Sequence, residues 1–389
     1  MNGRDNIIEY VNAFHRNLLS VDQCKTLLND YASKIEGFVI YGAMQTGIRL
    51  KRSLESFGFT VLCFIDDVLS IDELDGLNVY HDIKEISDKY DDVCFLLSTN
   101  FDAYRRIMAD KIEKYYPHPD ILDQGTVSYC QNGISLQSND SVYVYDLGIF
   151  VTNICNLKCK GCCTSTPTVP VNLRRHFPID QLKESVNAVS KIVDGVNSVY
   201  ICGGEPLLYP NLAEILKVIR EKINPGQLVV PTNGTIVPSA DVLESMHDNN
   251  VIGRVDDYGE LSRNIKKVIS EYDKWGIAYF VQDSLQFPWT DFGEIYDHGD
   301  DGTEKFKKCR EWHCYLVYNG SLYPCGRVFR IHERELYEPK EYESIMLDGD
   351  VDFMKNKLKQ MSLMDGPMYA CRFCGMQPNK KIKAAEQME

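Results

Sequence analysis

Three cysteines carry the first chemical signal. Cys155, Cys159 and Cys162 stand as C-x3-C-x2-C within ICNLKCKGCCTS, with Cys163 directly behind the last. Thiolates are soft ligands that suit zinc, Cu(I) and iron–sulfur clusters. Structural zinc takes a closed shell of four ligands, whereas three ligands on one loop leave a coordination position open for chemistry. A zinc knot would need Cys163 or a distant thiol to complete it, and adjacent residues such as Cys162 and Cys163 chelate one ion poorly. A second set lies far along the chain: Cys309, Cys314, Cys325, Cys371 and Cys374, the last two as C-x2-C in CRFC. Four of these in a closed shell would satisfy a structural zinc.

Composition bounds the setting. The chain has 389 residues, 44% hydrophobic and 25% charged, which suits two or three globular domains. No run of about 18 apolar residues predicts a membrane span, and the opening MNGRDNIIEYVNAF has no signal-peptide core. A formal charge of −14 argues against nucleic acid as a partner. Fourteen cysteines without a secretory signal point to a reducing compartment, so a cytoplasmic location is expected.

The elements that must position these cysteines follow from periodicity. Apolar residues at helical spacing from Ile7 to Leu19 predict a helix. Next, GFVIYGAMQTGIRLKRSLESFGFTVLCFIDD reads as strand, glycine turn, helix and strand, with strands at 38–41 and 60–65. DVCFLLST is a further strand after a helix over 82–90. This alternation implies a parallel sheet with helices on both faces. Asp66 lies nineteen residues past Gly47, partly like a dinucleotide-binding turn, but Met44 replaces the middle glycine and makes pyrophosphate approach doubtful. Residues 116–141 lose periodicity and read as a linker. Strands then fall at 145–151, 198–201, 227–230, 251–256 and 278–281. Between them run amphipathic helices with Leu182, Val186, Val189 and Val193 on one face, and Leu212, Ile215, Leu216 and Ile219 on another. Units of about 25 residues predict a partial (β/α)6 TIM-like barrel. The expected fold is α/β, with domains at 1–115 (a Rossmann-like parallel sheet), 142–290 (the barrel) and 291–389 (a small cysteine-rich module).

CNLKCKGC resembles the cluster-binding loop of the radical S-adenosylmethionine (SAM) superfamily. The resemblance implies that Cys155, Cys159 and Cys162 hold a four-iron four-sulfur cluster, whose open iron chelates the amino and carboxylate groups of SAM. One electron then cleaves SAM to a 5′-deoxyadenosyl radical, which abstracts a substrate hydrogen. Many members carry an aromatic residue near the adenine where this chain has Gly161. CGGEP, after the second barrel strand, resembles the family's GGEP motif; its glycines permit close backbone approach, and Glu205 offers an acceptor for an ammonium group. TNGT follows the third strand and RVDDYG the fourth. The resemblance thus implies Gly203, Gly204, Glu205, Thr232, Asn233 and Asp256 as SAM-binding residues at strand C-terminal ends, where barrels place their sites. Each motif alone reads as an ordinary turn. Their succession at four strand ends does not.

The second cysteine set resembles the twitch module, a shortened relative of the SPASM module. A cysteine, a G-x4-C hairpin (Gly320 to Cys325) and a later C-x2-C there bind one auxiliary four-iron cluster. The resemblance implies Cys309, Cys325, Cys371 and Cys374 as ligands, with Cys314 an alternative to Cys309. Two reactions then compete, oxidation of a carbinol carbon to a ketone or epimerisation in which a thiol returns hydrogen. Cys163, Cys202 and Cys314 are the candidate hydrogen donors. A carbohydrate, sugar nucleotide or related small molecule is the expected substrate, with a flavodoxin- or ferredoxin-type reductant as partner. Peptide modification is the alternative, although the N-terminal pattern does not look like a winged-helix peptide-binding domain. A non-catalytic iron–sulfur or zinc-binding scaffold would have no use for the GGEP and TNGT loops.

Overall fold

Alternate residues of one short strand show how the N-terminal unit is layered. The computed structural model describes residue 29 and residues 32–43, 45–56, 58–98, 102–123, 142–284, 289–306, 309, 314–364 and 366–388. Two units divide between Tyr143 and Val144. The first contains β1 (Gly37–Tyr41), α1 (Gln45–Ser56), β2 (Val61–Ile65), β3 (Glu73–Leu74), β4 (Leu77–Tyr80), α2 (Ile83–Ser87), β5 (Val93–Leu97), α3 (Asp102–Ile112) and β6 (Asp120–Asp123). The strand order is β3-β4-β2-β1-β5-β6, parallel throughout except for the β3–β4 hairpin. Phe38 and Ile40 enter one core with Leu50 and Leu54 of α1. Val39 and Tyr41 enter the other with Ile83 and Ile86 of α2 and Ala109 and Ile112 of α3. Burial on both faces explains why FVIY and VCFLL are unbroken apolar runs.

The acid in the partial dinucleotide pattern has local work. Asp66 accepts from the amide of Ala43 through one oxygen (2.9 Å) and from Val68 and Leu69 through the other (3.0 Å each). It thereby pins the glycine turn in which Gly42 adopts φ +105°. Met44, the helix expected over the first 20 residues and most of the 116–141 stretch lie outside the described residues.

The second unit begins with β7 (Tyr143–Thr152). It continues through α4 (Ile179–Ile192), β8 (Gly195–Gly203), α5 (Leu212–Lys222), β9 (Gln227–Thr232), α6 (Ala240–Asp248), β10 (Val251–Asp257), α7 (Ile265–Trp275) and β11 (Tyr279–Asp283). After these come β12 (Trp289–Asp291), α8 (Thr303–Phe306), β13 (Cys314–Tyr318), β14 (Ser321–Tyr323), α9 (Val328–Glu333), β15 (Ile345–Met346), α10 (Val351–Ser362) and β16 (Gln377–Ile382). The main sheet runs β11-β10-β9-β8-β7-β13-β14-β15. β8 to β11 are mutually parallel, and β13 pairs parallel with β7. Thus β7, which leads into the cysteine loop, lies between β8 and a strand from the cysteine-rich region.

The expected helical faces are buried, with Leu182, Val186 and Val189 on α4 and Leu212, Ile215, Leu216 and Ile219 on α5. Ile192 completes the α4 face, while Val193 is its C-cap. No helix among the described residues is long and apolar enough to cross a membrane.

Candidate functional site

The loop after β7 is seated by the two glycines of CGGEP. Gly203 and Gly204 pass so close to it that an added Cβ would lie 2.4 Å from the carbonyl oxygen of Thr152 at Gly203 and 2.1 Å from that of Ile154 at Gly204. Gly203 also adopts φ +155°. The same contact makes two backbone hydrogen bonds, Gly204 to Thr152 (2.8 Å) and Glu205 to Ile154 (2.9 Å). The sequence suggests close approach to a ligand; the structure uses it first to fix the backbone immediately before Cys155.

Glu205 then ties three loops together. Its side chain is fully buried and accepts the amide of Leu207 at 3.1 Å and that of Asn233 at 2.9 Å. Burial pushes its carboxyl up to about 7, against the pull of those amides. Asn233 donates through Nδ2 to Asn156 Oδ1 at 3.0 Å and lies 3.9 Å from Cys155 Sγ. Asn156 donates in turn to Thr235 Oγ1 at 2.6 Å. The cysteine loop is therefore cross-linked to TNGT side chain by side chain. Thr232 is buried and accepts from Gly234 N through Oγ1 at 3.3 Å. Asn156 was not singled out from the sequence; its position between two cysteines of CNLKC was the available signal.

The next strand end carries a part-buried ion pair. Arg254 and Asp256, two apart on β10 and so on one face, meet with Arg254 Nε 2.9 Å from Asp256 Oδ1. Burial raises Asp256, and Arg254 opposes that rise. Ser262 donates to the carbonyls of Asn233 (2.8 Å) and Asp256 (3.1 Å), joining this strand end to the TNGT loop. Arg254 was missed as a site residue, although a basic residue at i−2 to Asp256 on a strand marks such a pair.

The three thiols differ in character. Burial pushes Cys155 up to about 12 and raises Cys159. Hydrogen bonding from Cys163, aided by Thr164, lowers Cys162 to about 6. The sulfurs feel one another's charge. Even so, no three ligand-type side chains among the described residues converge on one point. The donors still fit an iron–sulfur cluster: soft sulfurs on one loop, with glycine-tight backbone on one side and amide side chains on the other.

The candidate hydrogen donors separate. Cys163 is exposed beside Cys162. Cys202, on β8, donates to the Tyr200 carbonyl, and its sulfur lies 2.9 Å from where a Cβ on Gly148 of β7 would stand. Cys314 opens β13 opposite Asp146 of β7. Cys202 and Cys314 thus flank β7 from either side.

Four C-terminal cysteines border one hydrophobic cluster. Cys325 is buried with Ile295, Phe306, Val328, Ile331, Met368, Ala370 and Phe373, and Cys309, Cys371 and Cys374 pack against that cluster. Cys314 is not part of it. Burial, with Cys325 and Cys374 alongside, raises Cys371. None of the described cysteines forms a disulfide. Gly302 makes room for Cys371, whose Cβ would stand 2.6 Å from a Cβ on that glycine.

Glu343, fully buried beneath this module, accepts Ala370 N (2.7 Å), Tyr337 OH (2.7 Å) and Lys340 N (3.0 Å), with His332 Nε2 at 3.3 Å. Two buried arginines of the same region reach the cysteine loop. Arg327 donates to Ser165 Oγ (2.6 Å), and Arg330 donates to the carbonyl of Thr164 (2.8 Å).

Residues 149–273, from within β7 into α7, match the family described as "Radical SAM superfamily". This stretch of the chain carries a radical SAM domain, and members of that superfamily bind SAM and a four-iron four-sulfur cluster. Among curated proteins it is 27% identical over 126 residues to GTP 3′,8-cyclase 3 of Mycobacterium bovis, covering 31% of this chain and 33% of the relative. It is 35% identical over 101 residues to GTP 3′,8-cyclase 1 of Mycobacterium tuberculosis, covering 24% and 26%. The chain thus spans between about a quarter and a third of these relatives' length. Among solved structures it resembles BtrN in complex with AdoMet and 2-DOIA, with TM-score 0.37 and 15% identity over 64% of this chain and 98% of that one. It also resembles Streptococcus suis SuiB bound to S-adenosylmethionine, with TM-score 0.32 and 18% identity over 49% and 47%.

Proposed function

We propose that this chain is a radical SAM enzyme acting on a polar small molecule, a carbohydrate or sugar nucleotide, with Cys155, Cys159 and Cys162 as the ligands of its catalytic cluster. The observation that carries the reading is the linkage of the cysteine loop to Glu205, Thr232 and Asn233 through Gly203, Gly204 and Asn156. When bound, the cluster and SAM supply the electron and the radical precursor. The chain's own residues hold the loop, exclude water around Glu205 and present polar strand ends. The Arg254–Asp256 pair, with Tyr200 and Tyr258 close enough to interact with it, supports a hydroxyl-rich or anionic substrate. The nucleotide in the names of the mycobacterial relatives points the same way.

Cys309, Cys325, Cys371 and Cys374 are assigned as ligands of one auxiliary four-iron cluster, since Cys325 lies in one hydrophobic cluster, the other three pack against it, and Cys314 stands on β13. Cys314 is then left beside Cys202 as a candidate hydrogen donor, with Cys163 the third. Dehydrogenation is the main reading and epimerisation the second. A three-layer N-terminal unit, unlike a peptide-gripping winged helix, disfavours peptide modification. We assign residues 1–115 to substrate docking.

The test is anaerobic reconstitution followed by dithionite and SAM. About eight irons per chain and release of 5′-deoxyadenosine are expected, from the four-iron sets assigned above. Alanine at Cys155, Cys159 and Cys162 together should abolish the release. A colourless protein that leaves SAM intact would end the proposal.

A further inference from the structure

The segment 382–388 runs from the end of β16 through a turn to a single antiparallel bridge with the cysteine loop. Cys159 and Gln387 form the bridge. On either side of it, Lys160 N donates to Glu386 O and Met388 N donates to Lys158 O, each at 2.7 Å. Lys160 Nζ also pairs with Glu386 at 2.5 Å, so this lysine's charge is met by a carboxylate rather than turned to the sulfurs. Ile382 Cδ1 fills the space beside Gly161, only 2.1 Å from where a Cβ would stand on that residue at φ +64°. Ala384 and Ala385 are also buried.

One side chain of the segment addresses a sulfur. Gln387 accepts Lys158 N through Oε1 at 2.8 Å, and donates through Nε2 to the Ala385 carbonyl at 2.8 Å and to Cys159 Sγ at 3.2 Å. The first two contacts fix which end of the amide is the donor, so its N–H must face the sulfur. Cys159 is a buried residue, and the Gln387 amide donates to its sulfur.

We propose that the segment 382–388 is a built-in clamp on the catalytic cysteine loop and that Gln387 is a positioning residue. Its N–H would tune the reduction potential of the cluster through Cys159, and its neighbours would shield that side of the loop. This rests on the assignment of Cys159 as a ligand. A hydrogen bond to a ligating sulfur draws off electron density and favours the more negative, reduced cluster. Removing the donor therefore shifts the midpoint potential downward.

Two measurements separate this from the cluster assignment itself. Hydrogen exchange on the full chain without iron should show the Lys160 and Met388 amides slowed at least about 100-fold relative to an unstructured chain, since docked backbone bonds exchange only through local opening. Exchange at the unstructured rate overturns the clamp, whatever the cluster does. Reconstituted Gln387→Leu should keep its iron and show a lower midpoint potential for the cluster whose paramagnetic signal responds to SAM. An unchanged potential in Gln387→Leu overturns the tuning role. If that variant loses iron, Gln387→Asn, whose shorter amide retracts from the sulfur, gives the same reading with the same two outcomes. Protected amides in a chain that takes up no cluster would sink the assignment of Cys159 and leave the clamp standing.

Discussion

A ligand loop of this kind depends on what its residues lack as much as on what they carry. Gly204 faces the Ile154–Cys155 peptide directly: the carbonyl oxygen of Ile154 would lie 2.1 Å and its carbon 2.4 Å from an added Cβ. Backbone cannot swing aside as a long side chain can, so Gly204→Ala must push Cys155 and its neighbours out of register. Overpacking of this sort costs about 1–3 kcal/mol, or roughly 2–4 °C of melting temperature per kcal/mol in a unit of this size. A thermal melt of apo protein reads the effect without any cofactor. An unchanged melting temperature would mean that the approach to Ile154 is not what requires glycine here. Asn156 and Gln387 act at the same scale, each filling hydrogen-bond demand around one cysteine that no spacing rule records.

At the scale of elements, the hairpin β3–β4 is fastened to α1 through one carboxylate. Asp75, at φ +50° in the turn between the two strands, binds Arg52 (2.6 and 3.1 Å) and Lys51 (3.3 Å). Its pKa is lowered to about 2, chiefly by Arg52. A carboxyl with a folded pKa below its unfolded value of about 3.9 binds protons more readily in the unfolded chain. Its stabilisation is therefore complete above about pH 4 and drains away as pH falls toward 2. Asp75→Asn should lower stability at neutral pH and flatten the acid limb of the stability profile between those values, read by urea midpoints at stepped pH. An acid limb of unchanged slope would assign that loss to other carboxylates. The C-terminal module uses the same device in a buried form. There Glu343 joins His332 on α9, Tyr337, the turn at Lys340 and the amide before Cys371.

For the whole molecule, the division at Tyr143–Val144 predicts two cooperative unfolding units, each with its own core. Calorimetry on the apo full chain should resolve two transitions, and a fragment starting at residue 144 should reproduce one of them. A single transition for the full chain, lost in the fragment, would show that the units fold as one. Within residues 144–389 the two cysteine groups are physically joined, because Arg327 and Arg330 follow Cys325 and reach Ser165 and Thr164 beyond Cys162.

What the sequence determined was local. Cysteine spacing, the GGEP and TNGT loops, and the alternation of apolar strands with amphipathic helices were all legible, because each is a relation among residues close along the chain. The long-range choices were not. That Cys309 rather than Cys314 packs with the C-x2-C pair depends on β13 taking the strand position beside β7. That Gly203 and Gly204 serve the chain before Cys155, and that Asp66 closes on Ala43, are distances across folded loops. The pairing of Cys159 with Gln387 spans 228 residues. Periodicity reports which face of an element is buried; only the folded chain brings distant backbone amides and carbonyls within hydrogen-bonding reach, and those bonds decide which thiols stand together.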